Sequence, residues 1–334
     1  MKLSDCMLDV DWAVAAPLVI DRPEPDWVRV RDSGRLPENI FSFYCRSNYF
    51  SFEKAPRFLS DKDRLLFSFL AALTLGIRDA LDEAHDLIIE VRKCHDAAYS
   101  PTKRAEGKEY DRTSLARQMR SFKYLIVSLS SALDQFAETV ALLFTGEVDN
   151  LKFGRASFVT LKNFAQKPFH EGSGVVAPKA HFLGNLHAAL SKEMTGVGPE
   201  EDWLGLFYLY RNKLSHLGGF MFPSIGLHDK TGKFFSFLPN KWPQLHQTKI
   251  KVRNASEVRD PDEFRKYAEG SFAHPDITEY SEGLVKRIKK LLNSGFGVLC
   301  EAYAAFIDFA PNLEALESLE KESETTQFKN FVNI

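Results

Sequence analysis

Two apolar stripes of equal length constrain this chain more than any other feature. The first runs Leu66, Leu70, Leu73, Ile77, Ala80, Ala84, Leu87, Val91, Cys94, in alternating steps of four and three. The second runs Leu115, Met119, Phe122, Ile126, Leu129, Leu133, Phe136, Val140, Leu143 in the same rhythm. Alternating four and three keeps every apolar side chain on one face of an α-helix, so each stripe must lie along a partner. Both cover about 28 residue steps, roughly 42 Å of helix. The polar stretch from Tyr99 to Asp111 separates them, with Ser100-Pro101-Thr102-Lys103 and Glu106-Gly107-Lys108. Two long helices joined by one loop predict an antiparallel α-hairpin. Asp61 or Asp63 is placed to cap the first helix.

The rest of the chain reads as additions to that hairpin. The first 60 residues predict an irregular cap. Ala13 to Ile20 is broken by Pro17, and Trp27-Val28-Arg29-Val30-Arg31 alternates like a strand before the turn Asp32-Ser33-Gly34. Ile40 to Phe52, rich in aromatics, reads as strand or buried loop. After the hairpin come short helices over Phe158–Phe164 and Phe182–Met194, then a helix from Glu200 to about Leu217 closed by Gly218-Gly219. Phe220 to Asn240 predicts a β-hairpin turning at His228-Asp229-Lys230-Thr231-Gly232, within an insertion over about 220–258. A last helix covers Asp276 to Phe309, with Asn293-Ser294-Gly295 and Gly297 expected to weaken or kink its middle. The expectation is a mainly α protein: a cap over 1–60, a helical domain over 61–312, and a charged tail over 313–334.

Composition narrows the function classes. The chain has 334 residues, 44% hydrophobic, with a net charge of −2. That suffices for a large core without disulfides or metal. It also means that any grip on nucleic acid must be a local patch. Cys6, Cys45, Cys94 and Cys300 are widely spaced, as in a reduced protein, and no C-x-x-C pair supports zinc. The first ten residues lack a signal-peptide pattern, and the longest uncharged run, Leu65–Ile77, is too short to cross a bilayer. A cytoplasmic protein with no metal, no cofactor and no membrane partner is expected.

Chemistry concentrates in Leu209-Tyr210-Arg211-Asn212-Lys213-Leu214-Ser215-His216. At about 100° per residue, Trp203, Phe207, Tyr210, Leu214 and Leu217 form a core stripe. Arg211, Asn212, Ser215 and His216 then share a polar arc opposite it, above Leu204, Gly205 and Tyr208, which reads as a cleft wall. RNA is cut without metal when its 2′-OH attacks the adjacent phosphorus, which needs a proton-transfer group and a fixed cation. Histidine supplies the first and arginine the second. Asn212, four residues before His216, is placed to orient the ring or bond a substrate oxygen.

At these residues the sequence resembles the HEPN superfamily, α-helical domains built on a pair of long antiparallel helices. Many are metal-independent endoribonucleases of toxin–antitoxin, phage-defence and RNA-processing systems. The resemblance covers roughly 62–217 and implies that Arg211 holds phosphate, His216 transfers the proton and Asn212 assists. Ser215, Lys213 and Tyr208 would contact the substrate. It further implies a homodimer around one RNA-sized cleft, with an antitoxin or defence protein as a partner. Gly218 stands where members silenced by adenylylation carry tyrosine, so that control is not implied. The alternative is a non-catalytic helical module that binds a nucleotide or a protein.

Other polar groups have plainer expectations. Arg78…His85 also fits the loose Arg–His spacing, but on a continuous helix where Asp82 can pair with either. Asp134 and Glu138 read as an outward ion-pair face or as supports for the motif. His170, His181 and His187 fit no metal pattern, and Tyr208 and Tyr210 read as core or as base-stacking groups.

Overall fold

The computed structural model describes residues 34–51, 61–98, 111–144, 148, 151–169, 177–195, 203–216, 225–228, 234–239, 272–274 and 277–308. The described residues are mainly α-helical. In chain order they form α1 (Glu38–Ser51), α2 (Asp61–Ala98), α3 (Arg112–Leu143), α4 (Phe158–Gln166), α5 (Ala177–Met194), α6 (Trp203–His216), β1 (Ile225–His228), β2 (Phe234–Pro239), β3 (Phe272–His274) and α7 (Ile277–Asp308). The first 33 residues, the turn at 229–233 and the tail beyond 308 lie outside the described residues. So do Gly218-Gly219. β1 and β2 pair antiparallel, from Ile225 opposite Phe237 to His228 opposite Phe234, and β2 also pairs with β3.

The chain divides into two compact units. The first comprises residues up to Asp82, Leu129–Val197 and the chain from Arg287. Its centre is Phe136, a member of the second apolar stripe, fully buried on α3. Its ring meets Phe158 of α4 at 6.3 Å and Phe296 of α7 at 5.2 Å. Phe296 in turn meets Phe43 of α1 edge-on at 5.1 Å. One row of four rings thus ties four helices together, in geometries that aromatic quadrupoles favour.

Gly295 makes this row possible. A Cβ there would run into Phe136 Cζ. The glycines expected to kink the last helix lie inside an unbroken 32-residue helix. They are there for close approach: Gly295 admits a ring, and Gly297 lies beneath Asn39 of α1. A sequence shows that a glycine weakens a helix, but not that a neighbour fills the missing space.

α1 corrects the reading of Ile40–Phe52 as strand or loop. Leu36, Ile40, Phe43 and Ser47 are all buried, at steps of four, three and four. That helical spacing was masked by aromatic residues that favour strands. Asn293 of α7 fixes the helix start: its Oδ1 accepts from Asn39 N at 3.0 Å, and its carbonyl accepts from Asn39 Nδ2 at 3.0 Å. Just before α1, Gly34 takes a φ of 69°, at the turn expected there. Lys289 Nζ donates to the Gly34 carbonyl at 3.3 Å. Arg35 pairs with Asp82 at 2.8 Å, so Asp82 faces Arg35, and Arg78 pairs with its neighbour Asp79. Burial, and then the Arg35 charge, hold the Lys289 ammonium below its ordinary range.

Asp134 and Glu138 flank Phe136 on α3 and serve the segment that leads into α4. Glu138 accepts from the amides of Gly154 (2.8 Å) and Ala156 (2.9 Å), and Asp134 from Phe158 N (3.0 Å). They satisfy two amides of the loop before α4 and the amide of its first residue, where the Asp134 carboxylate also meets the favourable end of the helix dipole.

The second unit comprises Glu83–Ser128 and Gly198–Lys286. Its part of the α-hairpin is antiparallel, as predicted. Asp111 N donates to Ala98 O at 2.9 Å, Gln118 meets His95 at 3.1 Å, and Ser128 donates to Glu83 at 2.6 Å. Asp111 starts α3 by accepting from Thr113 N at 3.1 Å and Ser114 Oγ at 2.8 Å. Such a cap contributes about 1 kcal/mol. α3 has the length and apolar composition of a membrane span, yet 72% of its most apolar window is buried within the protein, as in a core helix.

Gly295→Ala should destabilise the protein by about 1–3 kcal/mol through overpacking against Phe136. Phe136→Leu should cost less in the Gly295→Ala background than alone, because the smaller side chain relieves the clash. Urea unfolding of the two single variants and the double variant checks both expectations.

Candidate functional site

α6 carries the Arg211–His216 motif, and its attachment begins with Tyr210, 1% exposed. The Tyr210 ring meets Phe122 of α3 edge-on at 6.0 Å and Tyr280 of α7 at 5.7 Å. Phe122 and Tyr280 close the triangle at 6.2 Å. Burial pushes the Tyr210 phenol well above its ordinary range, with the neighbouring Tyr280 adding to the shift. Burial does the same to Tyr280. Both rings are core groups, and Tyr210 is not available to stack a base. Tyr280 was missed in the sequence, although it lies one four-residue step before Leu284 and extends the α7 stripe backward.

The buried sector of α6 is wider than the predicted stripe. Trp203, Leu204, Phe207, Tyr208 and Tyr210 are all buried. At about 100° per residue they cover some 160° of the helix. Leu204 and Tyr208 are therefore covered, and Arg211, at about 80° on the same count, falls within this buried sector and not opposite it. Arg211 is half-buried, and its guanidinium carbon sits 5.8 Å from the centre of the Tyr208 ring. Tyr208, 7% exposed, also meets Phe207 at 5.4 Å, so it supports Arg211 and does not present its ring to a substrate. Such a stack of arginine on tyrosine is worth about 0.5–2 kcal/mol, more where water is excluded.

Asn212 is exposed. The backbone stays helical through His216, which puts position 216 one turn beyond Asn212 on the same flank. The side chains of Lys213, Ser215 and His216 lie outside the described residues. Arg211 is thus brought together with Tyr208, while Asn212 stands on the open side.

The remaining polar groups have local partners. His187 Nε2 donates to the Lys167 carbonyl at 2.8 Å, and its ring lies 5.2 Å from Phe164 and 5.5 Å from Phe169. It clips α5 to the end of α4. His181 is exposed and meets Asn185 at 3.2 Å. His170 lies outside the described residues, and His85 is half-buried on α2. Cys94 is buried and donates to Glu90 Oε1 at 3.3 Å. Burial, then Glu90, push its thiol up to about 11. Among the described residues, no three His, Cys, Asp or Glu are grouped to hold a metal.

Comparison with protein-family models, curated proteins and solved structures gives no match to the chain.

The raised ionisations of Tyr210, Tyr280 and Cys94 set an alkaline limit. Above their ordinary ranges the unfolded chain releases these protons while the folded one keeps them, so stability must fall as pH rises. Urea midpoints should decline from about pH 9 upward, in the range where unfolded Cys and Tyr titrate. Tyr280→Phe should make that decline shallower. An identical slope in the variant would show that the phenol is not held protonated by the fold.

Proposed function

We propose that this chain is a HEPN-like, metal-independent endoribonuclease acting in the cytoplasm as a homodimer, in a toxin–antitoxin or phage-defence setting. The observation that carries the reading is the order Arg211-Asn212-x-x-x-His216 on one unbroken helix that aromatic packing grips from α3 and α7. The 2′-oxygen attacks phosphorus as His216 takes its proton, and Arg211 meets the charge gathering on the phosphoryl oxygens. The 5′-oxygen leaves with a proton taken from water, and a 2′,3′-cyclic phosphate remains. Asn212 orients His216 or a substrate oxygen, and Lys213 and Ser215 contact the strand. Tyr208 serves by holding Arg211, a change from direct substrate contact that follows from its burial.

One observation favours the second reading, a non-catalytic HEPN-like module that binds a nucleotide or a partner protein. The Arg211 guanidinium is half-buried against Tyr208, an arrangement that also serves structure alone. RNA incubated with the protein in EDTA separates the two. The nuclease should give cyclic-phosphate ends, with His216→Ala slower by about 10²–10⁴-fold. Equal cleavage by both proteins, or none by either, sinks the nuclease reading. Arg211→Ala that lowers thermal stability, with no product from the wild type, supports the module.

A further inference from the structure

α3 carries a second periodic face, on the side away from α6. Thr113, Arg117, Arg120, Tyr124 and Val127 follow the same steps of four and three as the core stripe, and all five are exposed. Tyr124 is 51% exposed and Val127 45%, although the opposite side of this helix is core. Phe122, which faces Tyr210, lies about 200° around the helix from Tyr124.

The charge on this face is one-sided. From residue 112 to residue 133 α3 contains Arg112, Arg117, Arg120 and Lys123 and no acid; the first carboxylate is Asp134. Arg117 and Arg120 are three residues apart, a spacing at which like charges destabilise a helix. No acid stands three or four residues from either. Among the described residues, Arg117, Arg120 and Lys123 form no ion pair. The nearby carboxylates of α2 are turned elsewhere: Glu83 accepts from Ser128 Oγ at 2.6 Å and Glu90 from Cys94 at 3.3 Å. Asp86 and Asp96 of that stretch are exposed as well. A face kept only for solubility would alternate signs and would not run from unpaired cations into an exposed tyrosine and valine.

We propose that this outer face of α3 is a docking surface for single-stranded nucleic acid, separate from the α6 motif. Arg117, Arg120 and Lys123 meet successive phosphates, and Tyr124 offers a ring on which a base stacks. Arg117 and Val127 lie about 15 Å apart along the helix, room for a short run of nucleotides. Charge complementarity selects the occupant. An anionic membrane would meet the same cations, but a single valine beside the tyrosine is too little apolar surface to insert.

The test uses the 334-residue chain carrying His216→Ala, so that no cleavage depletes the probe. Fluorescent 12-nucleotide RNA and DNA strands of uridine or thymidine are titrated at several salt concentrations. Binding should fall with salt, and Arg117→Gln/Arg120→Gln should weaken it about tenfold or more while reducing the log–log salt slope by about 1.4, the share of two phosphates on a single strand. Tyr124→Ala should weaken binding about fivefold or more at every salt concentration, and Tyr124→Phe should restore it. Thermal midpoints should stay level or rise in the double Gln variant, since a like-charge pair is lost; a purely structural role predicts a fall. No binding by either strand, unchanged affinity in both sets of variants, or binding to anionic vesicles alone overturns the proposal. If the strands bind as expected but wild-type protein never cuts RNA, the nuclease reading fails and the docking surface stands.

Discussion

The structure depends on rings that α3 offers from a single stripe. Phe136 reaches Phe158 and Phe296 in one unit, and Phe122 reaches Tyr210 and Tyr280 in the other. Each ring joins α3 to α7 and to one further helix. Fourteen residues separate them, two full repeats of the seven-residue pattern, so both arise from one periodic constraint. At Gly295 the absence of a Cβ lets Phe136 seat against the α7 backbone. Side chains packed this closely leave few alternative arrangements.

The α-hairpin was legible because its signal is redundant. Nine apolar positions in each stripe repeat one rule, and a few irregular residues cannot hide it. α1 was not legible because it is short and its aromatic residues, Phe41, Phe43 and Tyr44, favour strands. Its true signal was the spacing of Leu36, Ile40, Phe43 and Ser47, which requires a polar serine to be counted as core. The backbone partners of Asp134 and Glu138 were hidden for a different reason. Two carboxylates one turn apart look like an ion-pair face in any sequence, and nothing local reveals that the amides of Gly154, Ala156 and Phe158 will arrive beside them. Tertiary partners distant in sequence leave no periodic trace.

The motif shows the same limit within one helix. Helical arithmetic places Arg211 about 100° from Tyr210, and that remains so. What it could not give was the width of the buried sector. With Leu204 and Tyr208 covered as well as Phe207, the direction of Arg211 becomes part of the covered side. An arginine can occupy such a position because its aliphatic stem packs and its planar head lies on a ring while keeping its charge. A lysine there would lose the stacking surface and gain a point charge that is harder to desolvate. The residue type in the motif is therefore constrained by Tyr208 whether or not the site cuts RNA.

That constraint bears on how a phosphate would be held. A guanidinium laid over Tyr208 has fewer orientations than one on a solvated face, so less entropy is lost when an anion binds. The rigidity comes through Tyr210, the neighbouring residue, whose ring is enclosed by Phe122 and Tyr280. Asn212, one step further around, is exposed and gains no such support. The helix thus grades from a fixed cation to an open amide within two residues. The covered side of the helix is taken up by Leu204, Tyr208 and Arg211, and Asn212 stands on the open side. On the proposed reading, a phosphate would reach Arg211 from that side, across the edge of the helix.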